Sequence, residues 1–215
     1  MPVITMAGQL GSGAPEIGRC IAERLHIEYV DRQIIADVAL RLQRKEQEVI
    51  AKEMPPGTLL GRVGKALIDG FALAGDMSGA YLSVLQIPLD DTRYLKALES
   101  VVKGLAQTGS LVIRGRGSQF ILKGFPEVFR VFVVAPLEVR VKRVMGDLQV
   151  DRAVAEREIS STDNSIDAFV RKYFQAEWAD PCHYDLIINT ELLNFEAAGS
   201  IISHAASFKD PGVKT

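Results

Sequence analysis

Residues 3–15 read VITMAGQLGSGAP and join a short apolar run to a glycine-rich turn and a proline. The run Val3–Ala7 has the length and composition of a strand buried on both faces. Pro15 suits the first turn of a helix, and apolar residues then recur at helical spacing, at Ile17, Ile21 and Leu25. A strand, a glycine turn and a helix start in this order predict a phosphate site, because inward amides and the helix N-terminus attract anions.

The glycine turn has the spacing of a phosphate-binding loop but lacks two of its side chains. Gly8 and Gly13 match the G-x-x-x-x-G part of the pattern. Ala14 stands where the pattern has lysine, and Pro15 where it has the hydroxyl that binds magnesium. The loop therefore keeps the predicted geometry without those groups, and a tight turn that binds nothing remains the alternative.

Short aliphatic runs along the rest of the chain alternate with helical patterns. Four further runs resemble buried strands: Ile27–Val30, Leu111–Arg114, Val131–Ala135 and Leu186–Asn189. Helices are expected from a cap at Asp91, over Leu137–Val144, and from Phe195 to Ala205. This order predicts an α/β fold, with a doubly wound parallel sheet of five strands between two helical layers. Residues 1–215 are expected to form a single domain.

Three segments depart from simple alternation. Residues 32–90 are too long for a loop and are interpreted as a mostly helical insert. Residues 146–183 are polar and charged, which indicates a mobile helical flap before the last strand. Residues 209–215 are expected to form a flexible tail.

Charged residues follow several predicted strands, at the sheet edge where ligands of doubly wound sheets bind. Arg116, between two glycines, could grip a phosphate, or could be a surface arginine at a turn. Asp31 could hold a magnesium-bound water or a hydroxyl, or could cap a helix beginning at Arg32. Arg140 and Arg143 share one helix face, which is either a phosphate-facing pair or a solvated cationic surface.

Over nearly its whole length, the sequence resembles the cytidylate kinase-like family of phosphate-loop nucleotide kinases. The resemblance rests on the order and spacing of short motifs: Gly8–Gly18, Tyr29–Arg32, Gly115–Gly117, Ala135–Arg143, Trp178, Tyr184–Leu186 and Asn189–Thr190. It implies a five-stranded parallel sheet, an insert that holds a nucleoside monophosphate, and a lid over the triphosphate. It also implies transfer of the γ-phosphoryl group of ATP, with Mg²⁺, to a nucleotide such as CMP.

The resemblance assigns roles to residues of this chain. Four residues would cradle the donor phosphates: Gly8, Gly11, Ser12 and Gly13. Three would bind the acceptor: Asp31, Arg32 and Arg116. Arg140 and Arg143 would face the triphosphate, and Arg171 could supply a lid cation. The family's lid has an arginine three residues after an acid, whereas here Asp163 is followed at that spacing by Ile166.

Two other functions remain open beside a kinase. One is a non-catalytic nucleotide sensor or interaction module that keeps the fold and has lost phosphoryl transfer. The other is a scaffold with an empty glycine turn, which would assemble through the apolar segment Phe71–Leu85. The acceptor base and any metal-binding side chains are not assigned by the sequence.

Composition excludes several classes of protein. The 215 residues are 47% hydrophobic and carry a net charge of −2, which disfavours a nucleic-acid-binding surface. Two cysteines cannot build a disulfide framework, and the three histidines, at positions 26, 183 and 204, are too scattered in the sequence to indicate a four-ligand zinc site with them. No apolar run approaches the length of a membrane span. We expect a cytoplasmic protein that binds nucleotides and makes no contact with membranes. The sequence leaves the oligomeric state open, with a homo-oligomer formed through the glycine-rich apolar insert as one alternative.

Overall fold

A five-stranded parallel sheet flanked by helices forms the frame of the protein. The computed structural model describes residues 3–31, 33–42, 49 and 90–209. The strands are β1 Val3–Gly8, β2 Glu28–Val30, β3 Leu111–Arg114, β4 Val128–Val134 and β5 Leu186–Asn189. The helices in these ranges are α1 Ala14–Leu25, α2 Gln33–Leu42, α3 Asp91–Thr108, α4 Ser118–Ile121, α5 Leu137–Leu148, α6 Arg152–Phe174 and α7 Phe195–Ser207, with a 3₁₀ turn at Pro181–His183.

The strand order β2-β3-β1-β4-β5 confirms the predicted α/β fold. All pairs are parallel, and β1 lies in the centre, with Ile4 beside Val112 of β3 on one side and Phe129 of β4 on the other. The chain moves from β1 to one edge, returns to β3, and then builds the other half of the sheet. The carboxyl ends of all five strands therefore meet at one edge, where the glycine turn follows β1.

Two apolar layers cover the sheet. On one face, α1 and α7 pack on β1 and β4 through Ile17, Ile21 and Ile202, all fully buried. On the other face, α2 and α3 pack through Val38, Tyr94 and Leu98 against β2 and β3. Helices therefore bury both faces of the sheet, which explains why its strands are continuous apolar runs.

The fourth strand and the cap of α3 differ from the sequence-based expectation. β4 begins at Val128, upstream of the predicted start at Val131. Arg130 interrupts the apolar pattern, but its guanidinium donates hydrogen bonds to the Asp185 carboxylate and to the carbonyl of Leu122, so the residue stays in the strand. The predicted cap Asp91 is the first residue of α3 itself.

The N-cap of α3 is Asp90. Its carboxylate accepts hydrogen bonds from the backbone amides of Thr92 and Arg93. Asp91 instead accepts a hydrogen bond from the Tyr173 hydroxyl of α6. Two adjacent aspartates made the sequence ambiguous by one position, since either satisfies the preference for an N-cap.

The described ranges cover only part of the expected insert and all of the expected flap. α2 and the isolated residue Val49 belong to the insert at 32–90, whereas residues 43–48 and 50–89 lie outside the described ranges, with the apolar segment Phe71–Leu85. Within 146–183, α6 is a helix of 23 residues. Residues 210–215 of the tail also lie outside. None of the helices in the described ranges has the length and apolarity needed to cross a membrane.

Candidate functional site: the glycine turn after the central strand

The glycine turn folds tightly over the end of β1. A Cβ at Gly8 would lie 2.6 Å from the Cβ of Ala14 and 3.0 Å from Oγ of Ser12. The Ser12 amide donates to the carbonyl of Gln9 at 3.0 Å, which closes the turn. Ala14 and Ser12 are both buried. The absence of a side chain at Gly8 is therefore what allows the turn to close on its strand.

Gly13 is the N-cap of α1 and has a left-handed backbone, with φ of 89°. A Cβ at this position would overlap the aromatic ring of Phe195, the first residue of α7. No side chain caps the amides at the start of α1, and Pro15 contributes no amide hydrogen. The helix start thus presents uncapped amides and partial positive charge at the carboxyl edge of the sheet.

Asp163 of α6 reaches this turn. Its Oδ1 accepts the Leu10 amide at 3.0 Å, and its Oδ2 accepts Nη1 of Arg140 at 2.6 Å. Nη1 of Arg140 is also 3.4 Å from the carbonyl oxygen of Leu10. Arg140 therefore lies beside the turn, and its charge is paired with a carboxylate of the protein itself.

Arg143 lies behind the turn. Its guanidinium donates to the carbonyls of Gly11 and Ser12, at 3.2 and 3.3 Å, and to Oγ1 and the carbonyl of Thr190. It also stacks over the Phe195 ring, 5.0 Å from the centroid. In a trans peptide the carbonyl and the next N–H point in opposite directions. The amides that follow these carbonyls, those of Ser12 and Gly13, therefore point away from Arg143.

Thr190, directly after β5, forms a clamp on the turn together with Arg143, because both side chains hold carbonyls of the turn. It is fully buried, and its hydroxyl donates to the carbonyl of Ser12 at 2.7 Å while accepting from Arg143 at 2.9 Å. In the sequence, Thr190 belongs to one of the segments that carry the family resemblance, Asn189–Thr190, but that resemblance gives it no role. Its second signal is its position directly after the last predicted strand, which ends at the same edge of the sheet as β1.

Arg171 lies on the exposed surface of α6. Its Nε donates to Asp167 at 2.7 Å, and its side chain is 62% exposed. Along a straight helix it is about 12 Å from Asp163, the α6 residue that touches the turn. The structure thus brings Arg140 and Arg143 to the glycine turn and places Arg171 farther along the lid-like helix.

The expected acceptor side begins at the end of β2. Asp31 accepts a hydrogen bond from Nη1 of Arg114, at the end of β3, at 2.6 Å. Both side chains are partly buried, so this pair ties two strand ends together. Burial raises the pKa of the neighbouring Tyr29, whose phenol stays protonated at neutral pH. Arg32 lies outside the described ranges.

Arg116 lies in an unusual turn after β3. Gly115, Arg116 and Gly117 all have left-handed backbones, with φ of 75°, 58° and 68°. The Gly115 amide donates to the carbonyl of Met6 in β1 at 2.9 Å. A Cβ at Gly117 would overlap the Phe174 ring at the end of α6. Arg116 is therefore held beside the central strand, at the same edge of the sheet as the glycine turn.

The described residues contain no group of three or more His, Cys, Asp or Glu side chains that could hold a metal. Pro15 also offers no hydroxyl to a cation.

Comparison with known proteins agrees with this geometry. The model of the cytidylate kinase-like family matches residues 3–192. The chain belongs to the cytidylate kinase-like family. A cytidylate kinase from Staphylothermus marinus is 23% identical over 205 residues, which cover 94% of each chain. A cytidylate kinase from Methanocaldococcus jannaschii is 27% identical over 103 residues, or 47% of this chain and 58% of that protein.

Solved structures support the fold of this family member. An uncharacterized protein from Eubacterium ventriosum superposes with a TM-score of 0.66 at 17% identity, covering 96% of this chain and 99% of that one. A shikimate kinase from Acinetobacter baumannii, in complex with shikimate, gives a TM-score of 0.50 at 16% identity, covering 98% and 96%. At these identities the likeness concerns the fold, which is that of phosphate-loop kinases.

Proposed function

We propose that this family member binds the phosphates of ATP on the turn Gly8–Gly13 and a CMP-like nucleoside monophosphate beside Arg116. In the reaction, the bond from the γ-phosphorus to the ADP oxygen breaks while a bond forms to a phosphate oxygen of the acceptor. The products are ADP and a nucleoside diphosphate. Transfer is expected to be slow, and the proposal includes the cytoplasmic location that we expect from the sequence.

The observation that supports the proposal is that the turn already holds a carboxylate of the protein itself, that of Asp163. The Asp163 carboxylate accepts a hydrogen bond from the Leu10 amide at 3.0 Å and another from the Arg140 guanidinium. The same turn leads into α1, whose first amides have no side-chain cap. A backbone amide and an arginine are the donors that proteins use for phosphate. These donors, together with membership of the cytidylate kinase-like family, support the proposal that the donor phosphates bind at this turn.

The side chains of the site determine how well it can transfer a phosphoryl group. Catalysis of this transfer depends on positioning and on neutralising charge on the moving group. Arg140 is the cation beside the turn, and Ala14 supplies none where lysine usually stands. Removal of a single cation from such transition states costs on the order of 10³-fold in rate. Binding without rapid turnover follows from this composition.

The second candidate function is a non-catalytic nucleotide sensor or interaction module. The observation that favours it is the use of all three proposed catalytic arginines in contacts within the protein. Arg140 pairs with Asp163, Arg143 holds backbone carbonyls, and Arg171 pairs with Asp167. In such a protein the nucleotide would change the position of the lid-like helix rather than react.

Thermal unfolding with added ligands tests whether the turn binds nucleotide. ATP with magnesium, CMP, and both together should each raise the melting temperature, because a ligand at about 100 times its Kd adds about 2.7 kcal/mol of stability. The reference is the same protein without ligand, in buffer of matched ionic strength. No shift with any of these ligands at millimolar concentration would contradict both candidate functions and favour an empty turn.

A further inference from the structure

One carboxylate of the lid-like helix lies on the glycine turn. Asp163 Oδ1 is 3.0 Å from the Leu10 amide nitrogen, and Oδ2 is 2.6 Å from Nη1 of Arg140. The side chains of Arg140 and Asp163 are only 10% and 18% exposed. This is a sheltered ion pair on the loop backbone, unlike the surface pairs of α6, such as Arg152 with Glu156.

The donors that hold Asp163 are those a phosphate would use. A carboxylate and a phosphate both accept hydrogen bonds from a backbone amide and a guanidinium. With Asp163 in place, the positive charge of Arg140 is already neutralised. A phosphate approaching the Leu10 amide would also meet a like charge at short range, which is unfavourable in a sheltered site.

The helix that carries Asp163 also reaches the other side of the site. Ile159 of α6 packs with Val141 and Val144 of α5 near Leu10. Toward the C-terminus of α6, Tyr173 donates to Asp91 at 2.7 Å, and the Phe174 ring lies against Gly117. One helix thus contacts both the glycine turn and the turn that carries Arg116, so a shift of α6 would alter both.

We propose that Asp163 is an internal competitor for nucleotide phosphate, which must leave the Leu10 amide and Arg140 before the donor phosphates can bind there. The inference rests on the proposed function, since it takes the glycine turn to be the phosphate site. It adds a specific residue that lowers the affinity and links binding to displacement of α6. The released Arg140 then becomes available to the phosphates.

Calorimetric titration of Asp163→Asn with ATP and with inorganic pyrophosphate tests the proposal. Asparagine keeps the shape and the hydrogen-bond acceptor for Leu10 but removes the competing charge. The variant should bind both ligands about 10- to 100-fold more tightly, the range for losing a competing hydrogen bond to a charged group. The matched control is Glu156→Gln, which removes one carboxylate and one arginine pair from the same helix, and its affinity should equal that of the unmodified protein.

The outcomes separate this inference from the proposed function. If the unmodified protein binds ATP and Asp163→Asn binds it equally or more weakly, the competitor role is wrong and the proposed function stands. Weaker binding only in the presence of magnesium would make Asp163 a ligand of the nucleotide complex, which also overturns the competitor role. If neither protein binds either ligand, both proposals fail.

A second measurement covers the case in which Asp163→Asn does not fold, because Arg140 would lose its partner in a sheltered position. Spin labels at Glu23→Cys and Asn164→Cys, both exposed, report the distance from α1 to α6 with Asp163 intact. The two native cysteines, Cys20 and Cys182, are replaced by serine. Saturating ATP should lengthen the distance between the labels, and an unchanged distance at saturation would overturn the proposal.

Discussion

At Gly13 the backbone conformation and the packing both require glycine. Its φ is 89°, and the Phe195 ring occupies the position of a Cβ. Gly13→Ala should therefore lower the free energy of unfolding by about 1–2 kcal/mol from the backbone alone, with a further loss from displacement of Phe195. It should also weaken ATP binding, because the amides at the start of α1 would move. Chemical denaturation and calorimetry measure the two effects.

Gly104 provides the matched control for that substitution. It lies inside α3, and a Cβ there would have nothing within 4 Å. Gly104→Ala should raise the free energy of unfolding by roughly 0.5–1 kcal/mol, since alanine favours the helix, and should leave nucleotide affinity unchanged. Equal stability of the two variants would contradict the geometry assigned to Gly13.

Arg116 is predicted to bind the phosphate of the acceptor. Because its φ is 58°, asparagine is the suitable replacement, as it tolerates the left-handed region better than alanine. Arg116→Asn should weaken CMP binding by about 1.5–3 kcal/mol, the range for a hydrogen bond to a charged group, without weakening ATP binding. Calorimetry with each nucleotide separately tests this, and unchanged CMP affinity would remove Arg116 from the acceptor site.

Among the elements, β5 and α5 hold the glycine turn together through Thr190 and Arg143. Thr190→Val keeps the shape but leaves the Ser12 carbonyl and the guanidinium without their hydroxyl partner. We expect a loss of about 1–3 kcal/mol in the free energy of unfolding and weaker ATP binding. The control is Thr108→Val, whose hydroxyl also donates to a carbonyl but at the exposed end of α3. Equal effects of the two variants in denaturation and calorimetry would mean that the clamp does not shape the turn.

The bounds of a strand could be predicted from the sequence where the strand is an uninterrupted run of aliphatic residues. β3 and β5 have the predicted bounds, because Leu111–Arg114 and Leu186–Asn189 are aliphatic runs ended by polar residues. β4 was predicted too short, since Arg130 breaks the run and only the folded protein supplies its partner Asp185. Local pattern thus predicts buried strands, whereas a charged strand residue depends on contacts distant in sequence.

The candidate site was predicted less completely for the same reason. Gly8 and Gly13 could be identified from spacing, because the turn is local. The partners of Arg140 and Arg143 could not, since Asp163 and Thr190 come from separate elements and meet the turn only after the sheet has formed. Whether the predicted catalytic, phosphate-binding and acceptor-binding residues perform those roles stays a prediction.

Across the whole molecule, the charges around the turn are balanced within the protein. Asp163 neutralises the charge of Arg140, and the Arg143 guanidinium donates hydrogen bonds to backbone carbonyls of the turn. Position 14 carries a buried alanine. Within residues 3–31 and 90–209, the loop position that usually carries the lysine of phosphate-binding loops is occupied by Ala14 and supplies no cation to a bound nucleotide. We therefore expect this protein to bind nucleotides and to transfer the phosphoryl group slowly.

Turnover of CMP at saturating ATP, magnesium and CMP tests that claim most directly, with ATP binding established by calorimetry on the same preparation. ADP and CDP formation should be far slower than the roughly 1–100 per second typical of kinases, although ATP binds. A rate within that range would contradict the account and would mean that arginines supply the missing charge.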